Sequence, residues 1–260
     1  MDDPEYQWVA VDVRPECRRV GIGSAVYEGL IAEAERRSLR GVRVTVRAES
    51  PEGLAFVAKR NFVERRRVWR SRLELTSADT SAMRSLLQEL SDGGIRFTTL
   101  AEEGADDPRV LARVHQLNVD AGGDTPVLGP HTAIAFEDFR RFFLEGPAAL
   151  PEAWFLATHG GEYVGISFAA RDPARPDSLQ QHFTGVRREY RRRKIALALK
   201  LLLIDFAQRH GFAHIDTSND SMNTPMWTLN QGLGFHKSHE RIQLECPLAR
   251  SDRGARPPNR

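Results

Sequence analysis

A stretch near the N-terminus returns 173 positions later. Val13-Arg14-Pro15-Glu16-Cys17-Arg18-Arg19-Val20-Gly21-Ile22-Gly23 aligns with Val186-Arg187-Arg188-Glu189-Tyr190-Arg191-Arg192-Arg193-Lys194-Ile195-Ala196, and Phe62 aligns with Phe235 at the same offset. That period is too long for a solenoid repeat and fits a duplicated domain. Only twelve residues precede Val13, so the first copy lacks the strand, two helices and hairpin that lead into Val186. A sheet so shortened buries too little apolar surface to stand well alone.

Periodicity supplies the elements between these landmarks. In the first copy it predicts strands at Trp8–Val13, Val42–Val46 and Phe62–Leu75, with helices at Gly23–Arg40 and Pro51–Arg60. Ser50 stands where it can cap the second of these helices. Thr76–Thr80 reads as a joint and Ser81–Ser91 as a connecting helix. The second copy reads as strand Ile95–Leu100, helix Asp107–Val119, a Gly/Pro-rich loop Ala121–Pro130 and helix Phe136–Leu144. Strands Ala153–Ala157 and Glu162–Ala170 follow, joined by His159-Gly160-Gly161, a hairpin signal. The chain continues through strand Leu179–Val186, helix Arg191–His210, strand Ala213–Thr217, helix Ser221–Gln231 and strand Phe235–Leu244. The fold class is therefore α/β with a mixed sheet and helices on its faces. The predicted organisation is a partial N-terminal unit at 1–77, a connector at 78–92, a complete unit at 93–247 and a disordered Pro/Arg-rich tail at 248–260.

Composition narrows the function. With 41% hydrophobic and 28% charged residues, 260 positions suffice for two cores. A net charge of +2 does not point to nucleic acid, and the arginine-rich stretch around Arg191 has no interleaved aromatics. Cys17 and Cys246 lie far apart and outside any metal-ligand spacing, so neither a disulfide framework nor a metal is expected. A reducing cytoplasm suits that cysteine usage. The acidic start Met1-Asp2-Asp3-Pro4-Glu5 does not read as a signal peptide, and the apolar run Ile195–Phe206, broken by Lys200 and Asp205, is too short to span a bilayer.

The repeated segment is a strand, an arginine-rich turn and a helix. The first amides of a helix lack partners within it and sit at the positive end of its dipole, so a tight turn feeding them can hold phosphate oxygens. Gly21 and Gly23 would let a ligand approach the backbone in the first copy. In the second copy Ala196 is still small, while Lys194 replaces Gly21. Arginines at a helix start oppose its dipole, and an anionic ligand resolves that conflict.

After this loop come Asp216-Thr217-Ser218-Asn219, then Asn223, then Asn230-Gln231-Gly232-Leu233-Gly234-Phe235. The combination resembles the GNAT superfamily of acetyl-CoA-dependent N-acetyltransferases. Its arginine-led Gly-rich turn is matched by Arg191 and Ala196, and its later Asn and Gly-Phe by Asn223 and Gly234-Phe235. In the first copy Arg18, Gly21 and Gly23 match the turn, while Ser50 and Asn61-Phe62 replace the later residues. Covering nearly the whole chain, the resemblance is to tandem GNAT proteins of the mycothiol-synthase-like kind, with an incomplete N-terminal unit.

The resemblance implies acetyl-CoA as cosubstrate, no metal, and a small-molecule or peptide amine as acceptor; a homodimer is left open. It places the pyrophosphate on the amides of Arg191, Arg192, Arg193, Lys194, Ile195 and Ala196, and the pantetheine arm along Thr184 to Val186. The Val186 amide would polarise the thioester carbonyl. Asn219, Asn223 and Asn230 are candidates for polar contacts. The Glu and Tyr that many members use as base and acid are replaced by Gln180, Gln181 and His182 on the strand and by Asn230 on the helix. His182 is the candidate base because imidazole has a suitable pKa, and Asn230 occupies the acid's position. Val57 stands at that position in the first copy, which argues against chemistry there. The expected reaction is direct acetyl transfer in a ternary complex. The rival expectation is a non-catalytic acyl-CoA-binding or scaffold protein.

Overall fold

Each element has its origin in a local signal. The computed structural model describes residues 5–126, 128 and 132–248; the expected disorder of 249–260 lies outside them. The first copy runs β1 (Tyr6–Trp8), α1 (Ile22–Arg36), β2 (Gly41–Arg47), α2 (Pro51–Ala58) and β3 (Val63–Glu74). Helix α3 (Met83–Asp92) connects it to β4 (Ile95–Thr99). A single-turn helix that the sequence reading missed, α4 (Leu100–Glu103), is held by a capping box between Thr99 and Glu102. Next come α5 (Pro108–Gly122), α6 (Phe136–Phe143), β5 (Trp154–His159) and β6 (Glu162–Asp172). The chain ends with β7 (Arg175–Val186), α7 (Ile195–Arg209), β8 (His214–Asp220), α8 (Thr224–Gly232) and β9 (His236–Pro247).

The 173-residue offset holds at element level. It carries both ends of α1 onto α7, of β2 onto β8 and of β3 onto β9. Ser50 caps α2 by accepting from the Gly53 amide, and Asn223 caps α8 by accepting from the Met226 amide. The strand expected at Trp8–Val13 is shorter and earlier, at Tyr6–Trp8. Val9 still donates to the Arg43 carbonyl at 2.8 Å. Beyond it the pairing with β2 ends, and among the described residues β1 is the outermost strand of the order.

By contacts the chain divides into two units. One comprises Met1–Val68, Val127–Pro130 and His239–Arg260; the other comprises Trp69–Pro126 and His131–Ser238. In the first unit the strand order is β1-β2-β9-β3. Strand β9 belongs by sequence to the second copy, yet it pairs antiparallel with β2 from Gly41–Pro247 through Arg47–Arg241. Its Ile242, Leu244 and Cys246 complete a core with Val9, Ala34, Val42, Val57 and Phe62.

In the second unit the order is β3-β8-β7-β6-β5-β4. Here β3, from the first copy, lies beside β8. Helix α7 covers one face, packing Ile195, Leu199, Leu203 and Ile204 onto Ala157, Val164, Leu179 and Ile215. Gly165 has no side chain where one would meet Ile195 and Leu199 at 3.1 Å, which lets this helix sit close to β6. Helices α5 and α6 cover the other face, with Leu111, Leu117 and Phe139 against Trp154, Ile166 and Phe168. Among the described residues no helix is long and apolar enough to cross a membrane.

Candidate active site

The site begins where two parallel strands part. Strands β7 and β8 are paired from Ser178–His214 to Gln181–Thr217, and no further. Both continue, to Val186 and Asp220, so the edge of β7 from His182 onward has no β8 partner. On its other side β7 stays paired with β6, through Phe183–Phe168, Thr184–Ser167 and Val186–Gly165. That ladder skips His182, since Phe168 pairs with Phe183 and Ala169 with Gln181. His182 is the extra residue of a β-bulge, the feature that bends a strand and turns two successive side chains to one face. Both His182 and Phe183 accordingly meet Phe168, with ring centroids 5.9 and 6.3 Å away. The bulge also accounts for a slip in the duplication. Tyr6 pairs with Gly41 but Ser178 with His214, offsets of 172 and 173, so the second copy carries one residue more here.

At the far end of this free edge, a 3-10 turn at Arg188–Tyr190 leads into α7. Arg192 and Lys194 both adopt left-handed backbone conformations, each with φ 62°. Arg191 Nε donates to the Val186 carbonyl at 3.0 Å, tying the turn to the strand. The first copy repeats every part, with φ 67° at Arg19, φ 94° at Gly21 and Arg18 Nε on the Val13 carbonyl at 2.9 Å. Gly21 is therefore present for its positive φ as the residue before α1, and Lys194 adopts the same conformation despite its Cβ. The Lys194 side chain turns away to Glu89 on α3, at 3.1 Å.

Of the expected phosphate residues, Ile195 is buried and offers its amide alone. Arg192 and Arg193 are exposed, Arg193 lying over the Tyr190 ring at 5.4 Å. Arg191 and Arg188 meet at Asp124, with ion pairs of 2.6 and 2.5 Å. Their guanidinium groups hold the Asp124 carboxyl below its usual range. Ala196 is half-buried beside the core.

The three asparagines differ in what their side-chain oxygens meet. Asn219 Oδ1 accepts from Ser71 Oγ on β3 at 2.5 Å, so a neighbouring strand occupies the oxygen expected to meet a cofactor arm. Asn223 Oδ1 is the cap of α8. Asn230 is only 1% exposed, and among the described residues its Oδ1 has no hydrogen-bond partner.

His182, by contrast, lines an open cavity of about 330 Å³ together with Phe142, Phe143, Glu145, Asp172 and Gln180. The residue remains exposed, but its ring packs edge-on against Phe143 with centroids 5.1 Å apart. Burial of the imidazole among these rings pushes its pKa below the ordinary histidine value. It is thus neutral at pH 7 and able to accept a proton. Sequence reasoning missed Lys200, which appeared only as a break in an apolar run. Its ammonium group is buried under the last paired residues of β7, donating to Gln181 Oε1 at 2.6 Å. No motif marks such a lysine.

Residues 118–235 match the model of the Acetyltransferase (GNAT) family. No curated protein matches the chain in sequence. Among solved structures, a GCN5-related N-acetyltransferase from Sphaerobacter thermophilus is 19% identical with a TM-score of 0.67, over 90% of this chain and 70% of that one. A tandem GNAT protein from the clavulanic acid biosynthesis pathway is 21% identical with a TM-score of 0.65, over 93% and 74%. A GNAT-family acetyltransferase from Colwellia psychrerythraea is 13% identical with a TM-score of 0.58, over 92% and 77%. The edge of β7 beyond its pairing with β8 leads to the start of α7. Residues 118–235 thus match the GNAT family model, and the architecture of the chain is similar to that of the tandem GNAT structures.

Proposed function

We propose that the second unit transfers an acetyl group from acetyl-CoA to a primary amine by direct attack in a ternary complex. The observation that carries this reading is the parting of β7 and β8 after Gln181–Thr217, with the Arg191–Ala196 turn at one end of the free edge and the His182 cavity at the other. Amides from Arg191 to Ala196 hold the pyrophosphate, helped by the dipole of α7. Thr184 to Val186 pair with the pantetheine arm, and a backbone amide of this edge polarises the thioester carbonyl.

The acceptor enters by the cavity. An alkylammonium is mostly protonated at pH 7, and releasing its proton costs roughly 4–5 kcal/mol. Neutral His182 takes that proton, directly or through one water. The amine nitrogen then bonds to the acetyl carbon, the C–S bond breaks, and the amine's remaining surplus proton ends on the departing thiolate.

Two measurements test this. Calorimetric titration with acetyl-CoA is expected to show micromolar binding that Arg191→Ala/Arg193→Ala weakens and Arg18→Ala leaves unchanged. In an amine screen, His182→Ala is expected to lower kcat about 100-fold or more while acetyl-CoA affinity is kept. Absence of binding by the wild type would sink the reading, and binding without transfer to any amine would favour a scaffold.

A further inference from the structure

Lys200 has 2% of its surface exposed and no carboxylate partner among the described residues. Its Nζ donates to Gln181 Oε1 at 2.6 Å and lies 5.3 Å from the centre of the Phe235 ring. The Gln181 amide group donates in turn to Ser167 Oγ at 2.9 Å and to Thr184 Oγ1 at 3.1 Å. Those two hydroxyls are 2.9 Å apart, across the β6–β7 pair. The first copy has Tyr27 at the position of Lys200, with its ring against Phe62 at 6.1 Å. The buried amine is thus peculiar to the second copy.

The polarity of this chain follows from donor counting. While Lys200 is charged its ammonium group donates and cannot accept, so it fixes the Gln181 carbonyl oxygen toward itself. Both N–H bonds of the amide must then point at the two hydroxyls, each of which accepts one. One hydroxyl donates to the other, and a single O–H remains. Ser167 is fully buried, and a hydroxyl hydrogen stranded there would go unpaired. Ser167 therefore donates to Thr184, and the remaining hydrogen is that of Thr184. Thr184 is half-buried and lies on the edge of β7 that β8 does not pair.

We propose that Lys200 and Gln181 are positioning residues that set the Thr184 hydroxyl as a hydrogen-bond donor to a carbonyl oxygen of the acyl-CoA lying along this edge. The inference rests on the transferase reading and goes beyond it, because it gives a side chain a role separate from the backbone of the strand. A donor whose direction is fixed before the ligand arrives needs no reorganisation on binding.

The test compares calorimetric affinities for acetyl-CoA and for free CoA in the wild type, Thr184→Val, Thr184→Ser, Lys200→Met and the Thr184→Val/Lys200→Met pair. One neutral hydrogen bond corresponds to about a fivefold change in affinity. Thr184→Val and Lys200→Met are each expected to lose about that factor, Thr184→Ser to keep wild-type affinity, and the double variant to be no weaker than either single one. Loss confined to acetyl-CoA identifies the thioester carbonyl as the acceptor, and equal loss for CoA identifies a pantetheine amide. Thermal unfolding of each variant checks that the fold is retained. If the wild type binds and the valine or methionine variants bind equally well, or if their losses multiply, the positioning role is wrong and the transferase reading stands. A wild type that binds neither ligand overturns both.

Discussion

Burying an ammonium group without a counter-ion removes its hydration and returns only one or two hydrogen bonds, so the proton itself becomes expendable. Burial lowers the Lys200 pKa to about 7 from the ordinary 10.5. A base depressed in the folded state carries its full penalty below the folded pKa, where it is charged in both states. Between about 7 and 10.5 the unfolded chain binds more protons, so stability rises with pH across that window. The full difference is roughly 5 kcal/mol. Lys200→Met, similar in volume and apolar, is therefore expected to be more stable than wild type below pH 7, with the gap closing toward pH 10. Urea unfolding at several pH values reads it, and a gap independent of pH would show that burial does not depress the lysine pKa and that it stays charged in the folded state. His182 illustrates the opposite case, a residue legible in sequence. Its type and strand position suggested a base, whereas the burial that lowers its pKa further comes from packing with Phe143 and Phe168, from other parts of the chain.

At the scale of elements, the two loop–helix copies differ in one backbone choice. Lys194 holds a left-handed conformation that costs an ordinary L-residue roughly 1 kcal/mol relative to glycine. Its ion pair with Glu89 is exposed on both sides and offsets little of this. Lys194→Gly is expected to leave stability unchanged or raise it by up to about 1 kcal/mol, measured by thermal unfolding. A loss of more than that would mean the lysine side chain holds the turn. The caps behave more simply: Asn223→Ala should cost about 1 kcal/mol, since the Met226 amide loses its acceptor. Most of these elements were readable from sequence because caps, glycines and apolar spacing act within a few residues of one another. The exceptions share a cause. Strand β1 is three residues long and α4 is a single turn, both too short to show a period.

On the scale of the whole molecule, the last strand of each copy completes the sheet of the other. Leu244 of β9 pairs with Val44 and is buried in the core of the first unit, although 173 residues separate β9 from its repeat β3. Leu244→Ala is expected to cost about 2–4 kcal/mol. Hydrogen exchange should rise in α1 and β2, far away in sequence; a rise confined to α7 and β8 would contradict the exchange of strands. The sequence alone determined the duplication, most of the elements and the arginine-rich turn before each long helix, because each is written in local spacing and residue type. Only the tertiary structure decided which strand each copy receives, where Asn219 and Asn223 direct their oxygens, and that Lys200 is buried. The physical reason is that β3 and β9 carry the same alternation and could each pair with either partner. The choice between them, like the burial of one lysine, is made by packing among residues more than a hundred positions apart.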